Sequence, residues 1–253
     1  ITANILRFRD EDGKPLLDKI LDVAGQKGTG KWSAIAAMDE NDPLTLITEA
    51  VYARLLSALY PERIKAASLY SGKLKVESGK LSDNAQLSIE DVRQALYAAK
   101  LISYAQGFSL LRHASEHYGW DLDYGTIARI WRKGCIIRSV FLQKITEAYR
   151  KDPDLENLLF DDFFHTKIQE ALPAWRRVVA EGALSGVALP AMSSALNYFD
   201  GLRTLYSAAN MIQAQRDYFG AHTYERTDRE RGHFFHTNWT GEGGNTVSGT
   251  YSV

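Results

Sequence analysis

Apolar positions recur at three- and four-residue spacing along most of the chain, and strict alternation is rare. Leu44, Ile47, Val51, Leu55, Ala58 and Leu59 keep the period of one helix face, and Pro43 suits a first-turn position. Ser88-x-x-Asp91 is a capping box. Val92, Leu96, Ala99, Ile102, Ala105 and Leu110 follow it as a second stripe, which should end near Tyr118-Gly119. Shorter helices are predicted over 15–23, 124–132 and 136–151, the last two split at Gly134, and Pro153 bars continuation. Residues 160–181 read as a helix with a kink or break at Pro173. Pro190 opens a last long helix running toward Tyr218 through Leu196, Phe199, Leu202, Leu205, Ala209 and Ile212, weakened at Gly201. Residues 71–86 hold no apolar face and read as a loop. There is no internal repeat and no βαβ alternation. The fold class is all-α, with one large helical domain over residues 1–220.

The pattern changes beyond Gly220. Residues 221–253 contain five glycines and no proline, yet Phe234-Phe235-His236-Thr237-Asn238-Trp239 keeps aromatic anchors that a disordered tail lacks. An extended arm packing on a surface, such as another subunit, is expected there. At the other end, Ile1, Ile5 and Phe8 form a helical stripe with no capping residue before it, which reads as a processed terminus, a frayed helix start or a helix cut in its middle.

Composition narrows the function. Thirty Lys and Arg against 31 Asp and Glu give a formal charge of −1. That argues against the chain-wide cationic field of a nucleic-acid binder but leaves room for a local anion pocket. The single cysteine, Cys135, excludes an internal disulfide and a multi-cysteine metal site, and fits a reducing compartment; it reads as a buried small hydrophobe. No apolar run approaches the ~20 residues of a membrane span.

Four places invite chemistry. Gly25-Gln26-Lys27-Gly28-Thr29-Gly30-Lys31 has the outline of a P-loop, but Trp32 stands where Ser or Thr must hold magnesium, and no buried strand precedes it. What remains is a flexible backbone with ammonium and hydroxyl donors, suited either to an anion or to a solvated turn. Arg54, beside the stripe of Val51 and Leu55, either pairs with a carboxylate such as Glu49 or serves a phosphate. Arg216 and His222 either meet an anion or favour the C-terminal end of a helix. His113 and His117 are four apart on one helix face, but no third ligand accompanies them, and no metal site is expected.

Several strings together are specific. Gly25-Gln26-Lys27-Gly28-Thr29-Gly30-Lys31-Trp32, Trp131-Arg132-x-Gly134-Cys135-Ile136-Ile137-Arg138-Ser139, Gln213-Ala214-Gln215-Arg216-Asp217-Tyr218-Phe219-Gly220-Ala221-His222-Thr223-Tyr224 and His236-Thr237-Asn238-Trp239 occur in this order. The chain resembles the C-terminal, all-helical portion of the 6-phosphogluconate dehydrogenase family from Ile1 onward. The resemblance implies cytosolic homodimers that oxidatively decarboxylate 6-phosphogluconate to ribulose 5-phosphate with NADP, each tail threading the partner subunit. Position by position, it implies sugar-phosphate contacts from Lys27 and Thr29, a phosphate-binding Arg54, and Arg216 and His222 supplied to the neighbouring subunit's substrate. Ser248, Gly249, Thr250 and Tyr251 match, only in part, a segment that reaches the partner's NADP.

In that family the proton-transferring lysine and glutamate, the dinucleotide fingerprint and an adjacent histidine and asparagine lie upstream of the position matching Ile1. No catalytic residue is therefore expected in this chain, and turnover by the chain alone is not expected either. The competing expectation is a non-catalytic helical dimerisation module in which the same residues only shape an interface.

Overall fold

A computed structural model describes residues 1–70, 87–132 and 135–241. The expected loop at 71–86, the split at Gly134 and the tail positions Ser248, Gly249, Thr250 and Tyr251 lie outside the described residues. The described helices are α1 (Thr2–Arg7), α2 (Thr29–Asp39), α3 (Thr45–Ala58), α4 (Tyr60–Tyr70), α5 (Ile89–Tyr118), α6 (Tyr124–Ile130), α7 (Leu142–Lys151), α8 (Asp162–Leu184), α9 (Pro190–Leu202) and α10 (Ala209–Gly220). Short 3-10 turns occupy Leu16–Lys19 and Leu158–Phe160. The fold is all-α. Two compact units meet in sequence between Phe199 and Asp200.

The first unit is organised by α5 lying along α8. Small residues on α5 (Ala95, Ala98, Ala99, Ala105), with Leu101, Ile102 and Phe108, are buried. Facing them, Phe164, Ile168, Ala171, Trp175 and Val178 keep three- and four-residue spacing down one side of α8. Alanines on one helix let bulky side chains of the other enter its grooves. Phe141, Leu142, Ile145 and Tyr149, at the start and along α7, complete the core.

The ends of these helices follow local chemistry. Asp91 N–H donates to Ser88 Oγ at 3.0 Å, and Ser88 N–H donates to Asp91 Oδ2 at 2.9 Å. Gly119 closes α5 in the left-handed conformation at φ 65°. Asp161 caps α8 by accepting from the N–H groups of Phe163 and Phe164. Pro173 does not break α8, which runs through it from Asp162 to Leu184. It faces solvent, where water can take the carbonyl it leaves unpaired, while Ala171, Ala174 and Trp175 anchor the buried side.

Several expectations are corrected. The helix expected to run from Pro190 to Tyr218 is two helices, because the chain leaves helical geometry between Leu202 and Ala209. There Thr204 Oγ1 donates at 2.6 Å to the Asp200 carbonyl, the acceptor that the Thr204 N–H would take in a continuing helix. The stretch 136–141 is irregular, and α7 begins only at Leu142. The helix expected over 15–23 shrinks to one 3-10 turn. Helices α2 and α4 went unread. Val92, Leu96, Leu55 and Leu59, all on predicted core stripes, are exposed, as are Ile1, Ile5 and Phe8. Cys135 is only half-buried.

A pH dependence follows from the α5 cap. The Ser88 backbone N–H, the Arg177 guanidinium and the Ser88 hydroxyl bring the Asp91 carboxyl down to about 2. A depressed carboxyl adds stability that is full above its unfolded value of about 3.9 and is lost as the pH falls toward 2. Asp91→Asn should therefore destabilise the chain at about pH 6 and differ little from wild type at the acid end. Denaturant melts at the two pH values check this; an equal deficit at both would contradict it.

Candidate functional site

The glycine loop is held to α3 at two points. On its entering side, Ala24 N–H donates to Ser57 Oγ at 2.9 Å, and Ser57 Oγ itself donates to the Arg54 carbonyl at 2.7 Å. Arg63 reinforces this side by pairing with Asp22 and donating to the Ser57 carbonyl at 3.1 Å. On the leaving side, Gly30 in the first turn of α2 lies so close to α3 that a Cβ would stand 2.9 Å from Val51 Cγ2. Gly28 takes φ 104°, a conformation that favours glycine, and opens α2 without a side-chain cap. Val51 and Ser57 each lie one turn from Arg54, so the two attachments bracket it.

Within this bracket Lys27 and Thr29 are exposed, Lys27 in the loop and Thr29 as the first residue of α2. Arg54 is exposed on α3, and among the described residues its guanidinium has no carboxylate partner. The pairing with Glu49 is not formed. The two tethers thus set the loop of Lys27 and the start of α2 at Thr29 along the stretch of α3 that carries Arg54.

A buried clamp sets the far ends of α2 and α3. Gln106 on α5 is fully buried, accepts from Leu46 N–H at 3.1 Å and donates to Thr45 Oγ1 at 2.8 Å. Asp42, in the connection between α2 and α3, accepts from Ser109 Oγ at 2.7 Å, and His113 Nδ1 lies 2.8 Å from the same oxygen. Arg112 Nη2 stands 2.9 Å from His113 Nε2. Arginine only donates, so Nε2 accepts and Nδ1 carries the proton given to Asp42. Both ring nitrogens of His113 are engaged, which leaves no lone pair for a metal. His117 Nδ1 lies 2.7 Å from Glu40 Oε2. Among the described residues no group of three or more His, Cys, Asp and Glu side chains could hold a metal ion.

Arg216 and His222 lie in the second unit, at the end of α10 and just beyond it. Arg216 Nη1 donates to Gln213 Oε1 at 3.0 Å. His222 stands between Ala221 at φ 51° and Thr223 at φ 58°. The segment that follows is not simply extended: β1 (Tyr224–Glu225) and β2 (Phe234–Phe235) form an antiparallel pair with Tyr224 opposite Phe235. Asp217, fully buried, accepts from Thr223 N–H, Thr237 N–H, His236 Nδ1 and Trp239 Nε1 at 2.8–3.0 Å. Burial alone would raise its pKa, but these donors outweigh it and hold the carboxyl below the usual carboxylate range.

The positions that sequence reasoning passed over are Asp42, Ser57, Gln106, Gln213 and Asp217. Asn41-Asp42-Pro43 carries a turn signal, and Gln213 and Asp217 lie inside one of the strings that carry the family resemblance. Nothing in the pattern marked Ser57 or Gln106.

The geometry defines an all-helical domain whose glycine loop is tethered to α3 on either side of Arg54. Residues 1–239 match the family described as 6-phosphogluconate dehydrogenase, C-terminal domain. The chain is 54% identical over 253 residues to "6-phosphogluconate dehydrogenase, decarboxylating" of Rattus norvegicus, covering all of this chain and 52% of that protein. It is 53% identical to the human protein of that name, with the same coverage of both chains. A solved Plasmodium falciparum 6-phosphogluconate dehydrogenase, described in its apo form and in complex with NADP+ and with 6-phosphogluconate, superposes with a TM-score of 0.84 at 41% identity. That match covers 94% of this chain and 50% of that one. The chain belongs to the 6-phosphogluconate dehydrogenase C-terminal domain family. It spans about half the length of the curated relatives it matches.

Proposed function

We propose that this chain is the helical part of an NADP-dependent, decarboxylating 6-phosphogluconate dehydrogenase, and that it supplies the phosphate end of the substrate site. The observation that carries the reading is the bracketing of Arg54 by the tethered loop of Lys27 and Thr29. A guanidinium with no internal carboxylate is matched in charge and geometry to a phosphate, and an ammonium and a hydroxyl add donors to its remaining oxygens. Arg216 and His222 serve the same ligand from the second unit of a neighbouring copy, in a homodimer with exchanged tails. Exposed apolar side chains on α3, including Leu55 and Leu56, support an assembly surface.

In this reading the chain binds and orients. Gripping the remote phosphate fixes where the reacting carbons lie, so binding energy is turned into alignment. NADP supplies hydride acceptance when bound. Among the described residues the sheet is one two-stranded antiparallel pair, with no strand–glycine turn–helix cradle for a dinucleotide. The described residues therefore offer NADP no such cradle. Contact of Ser248, Gly249, Thr250 and Tyr251 with NADP stays part of the proposal. Among the described residues no helix is long and apolar enough to cross a membrane.

Thermal melts test the proposal. Saturating 6-phosphogluconate should raise the Tm of the 253-residue polypeptide, by about 2.7 kcal/mol of stabilisation at a hundredfold excess over Kd. Arg54→Ala should abolish the rise, and 6-phosphogluconate with NADP should give no NADPH absorbance. No rise in the wild type would leave these residues as parts of a dimerisation module.

A further inference from the structure

His222 is flanked by two non-glycine residues at positive φ, and Thr223 is β-branched, a residue type that rarely takes this conformation. Such a backbone persists only where its surroundings fix it. Here they do so on every side. Thr223 N–H donates to Asp217 Oδ1 at 3.0 Å, and the Thr223 carbonyl accepts from Gln213 Nε2 at 2.5 Å. Ala221 N–H donates to the Asp217 carbonyl at 2.9 Å. The imidazole lies against bare backbone at Gly220, where a Cβ would stand 2.7 Å from His222 Nε2.

The amide of Gln213 is used at both ends. Its oxygen accepts from Arg216 Nη1 while its nitrogen donates to Thr223, and the reversed amide would face donor with donor and acceptor with acceptor. One side chain on α10 thus fixes both the guanidinium of Arg216 and the backbone beside His222. The other oxygen of Asp217 is held by Thr237 N–H and Trp239 Nε1, so the carboxylate is itself immobile.

We propose that Gln213 and Asp217 are positioning residues that preset the His222 imidazole and the Arg216 guanidinium for an anionic group of the substrate. The inference rests on the ligand reading of Arg216 and His222 given above. The two residues act through the backbone and the guanidinium and touch no substrate.

Nuclear magnetic resonance of the 253-residue chain, with labelled histidine, tests this directly. The wild type should show one set of His222 ring signals with a nuclear Overhauser contact to the Gly220 α-protons. Gln213→Leu should lose that contact while circular dichroism keeps its helix content, and Asp217→Asn should do the same where it folds. Retention of the contact in a folded Gln213→Leu variant overturns the proposal. The affinity for 6-phosphogluconate should fall between about tenfold and about a hundredfold in Gln213→Leu. If Gln213 acts partly through His222, His222→Ala and Gln213→Leu combined should lose less than the product of the two single losses. Multiplicative losses overturn action through His222. A His222→Ala variant that binds 6-phosphogluconate as the wild type does overturns the ligand reading instead, and leaves the ring contact to decide the positioning.

Discussion

Trp175→Ala should lower the stability of the chain by about 3–5 kcal/mol, the range for emptying a large aromatic site in a packed core. Trp175 is 0% exposed and lies on the stripe of α8 that faces α5. Its ring centroid is 6.4 Å from that of Phe199, and its Nε1 donates to the Met192 carbonyl at 3.2 Å. Truncation leaves a void that close-packed neighbours can collapse into only in part, and an acceptor without its donor. For a domain of this size the Tm should fall by roughly 6–20 °C. Trp175→Phe keeps most of the volume and should cost much less. Equilibrium denaturation checks both; equal losses would locate the effect in the N–H and not in the packing.

Asp42→Ala should cost about 2–3 kcal/mol and act locally. The substitution strips buried Ser109 and half-buried His113 of the acceptor they share; a buried donor left unpaired costs about 1–3 kcal/mol, and the half-buried one, which water can reach, costs less. It also removes one of the two holds by which α5 fixes the connection between α2 and α3, Gln106 being the other. Amide hydrogen exchange should therefore quicken in α2 and in the first turn of α3, while α8 keeps its protection. Affinity for 6-phosphogluconate should weaken with it, since both helices carry proposed phosphate ligands. Uniform loss of protection across α5 and α8 would show that the clamp supports the core as a whole.

The sequence showed the helices whose ends carry chemistry. Ser88 with Asp91 and Gly119 bound α5 almost to the residue, because caps act locally. It showed less where apolar position and burial part company. In α2 the large side chains Trp32, Ile35 and Met38 are exposed and the small Ala34 and Ala37 are buried, so hydrophobic periodicity gave no sign of a packed face. The break after Leu202 depended on Thr204 turning back onto Asp200, a local competition that stripes of Leu and Ala do not register. Among the proposed anion contacts, suitable residue types were visible at Lys27, Thr29, Arg54, Arg216 and His222. The side chains that hold them were not, since Ser57, Gln106 and Asp217 matter through partners 33 residues, 60 residues and, at Trp239, 22 residues away in the chain.

The double attachment of the glycine loop also bears on how fast and how selectively an anion is captured. Ordering one residue of free backbone costs about 1–2 kcal/mol of entropy, and a glycine-rich stretch costs more. Between Ala24 and Gly30 part of that cost is met when the chain folds, because Ser57 and Val51 hold both ends. Under the proposed function, a phosphate would meet a loop anchored at both ends, and less of its binding energy would go to ordering that loop. Discrimination among phosphosugars would then pass from the loop to whatever grips the other end of the ligand.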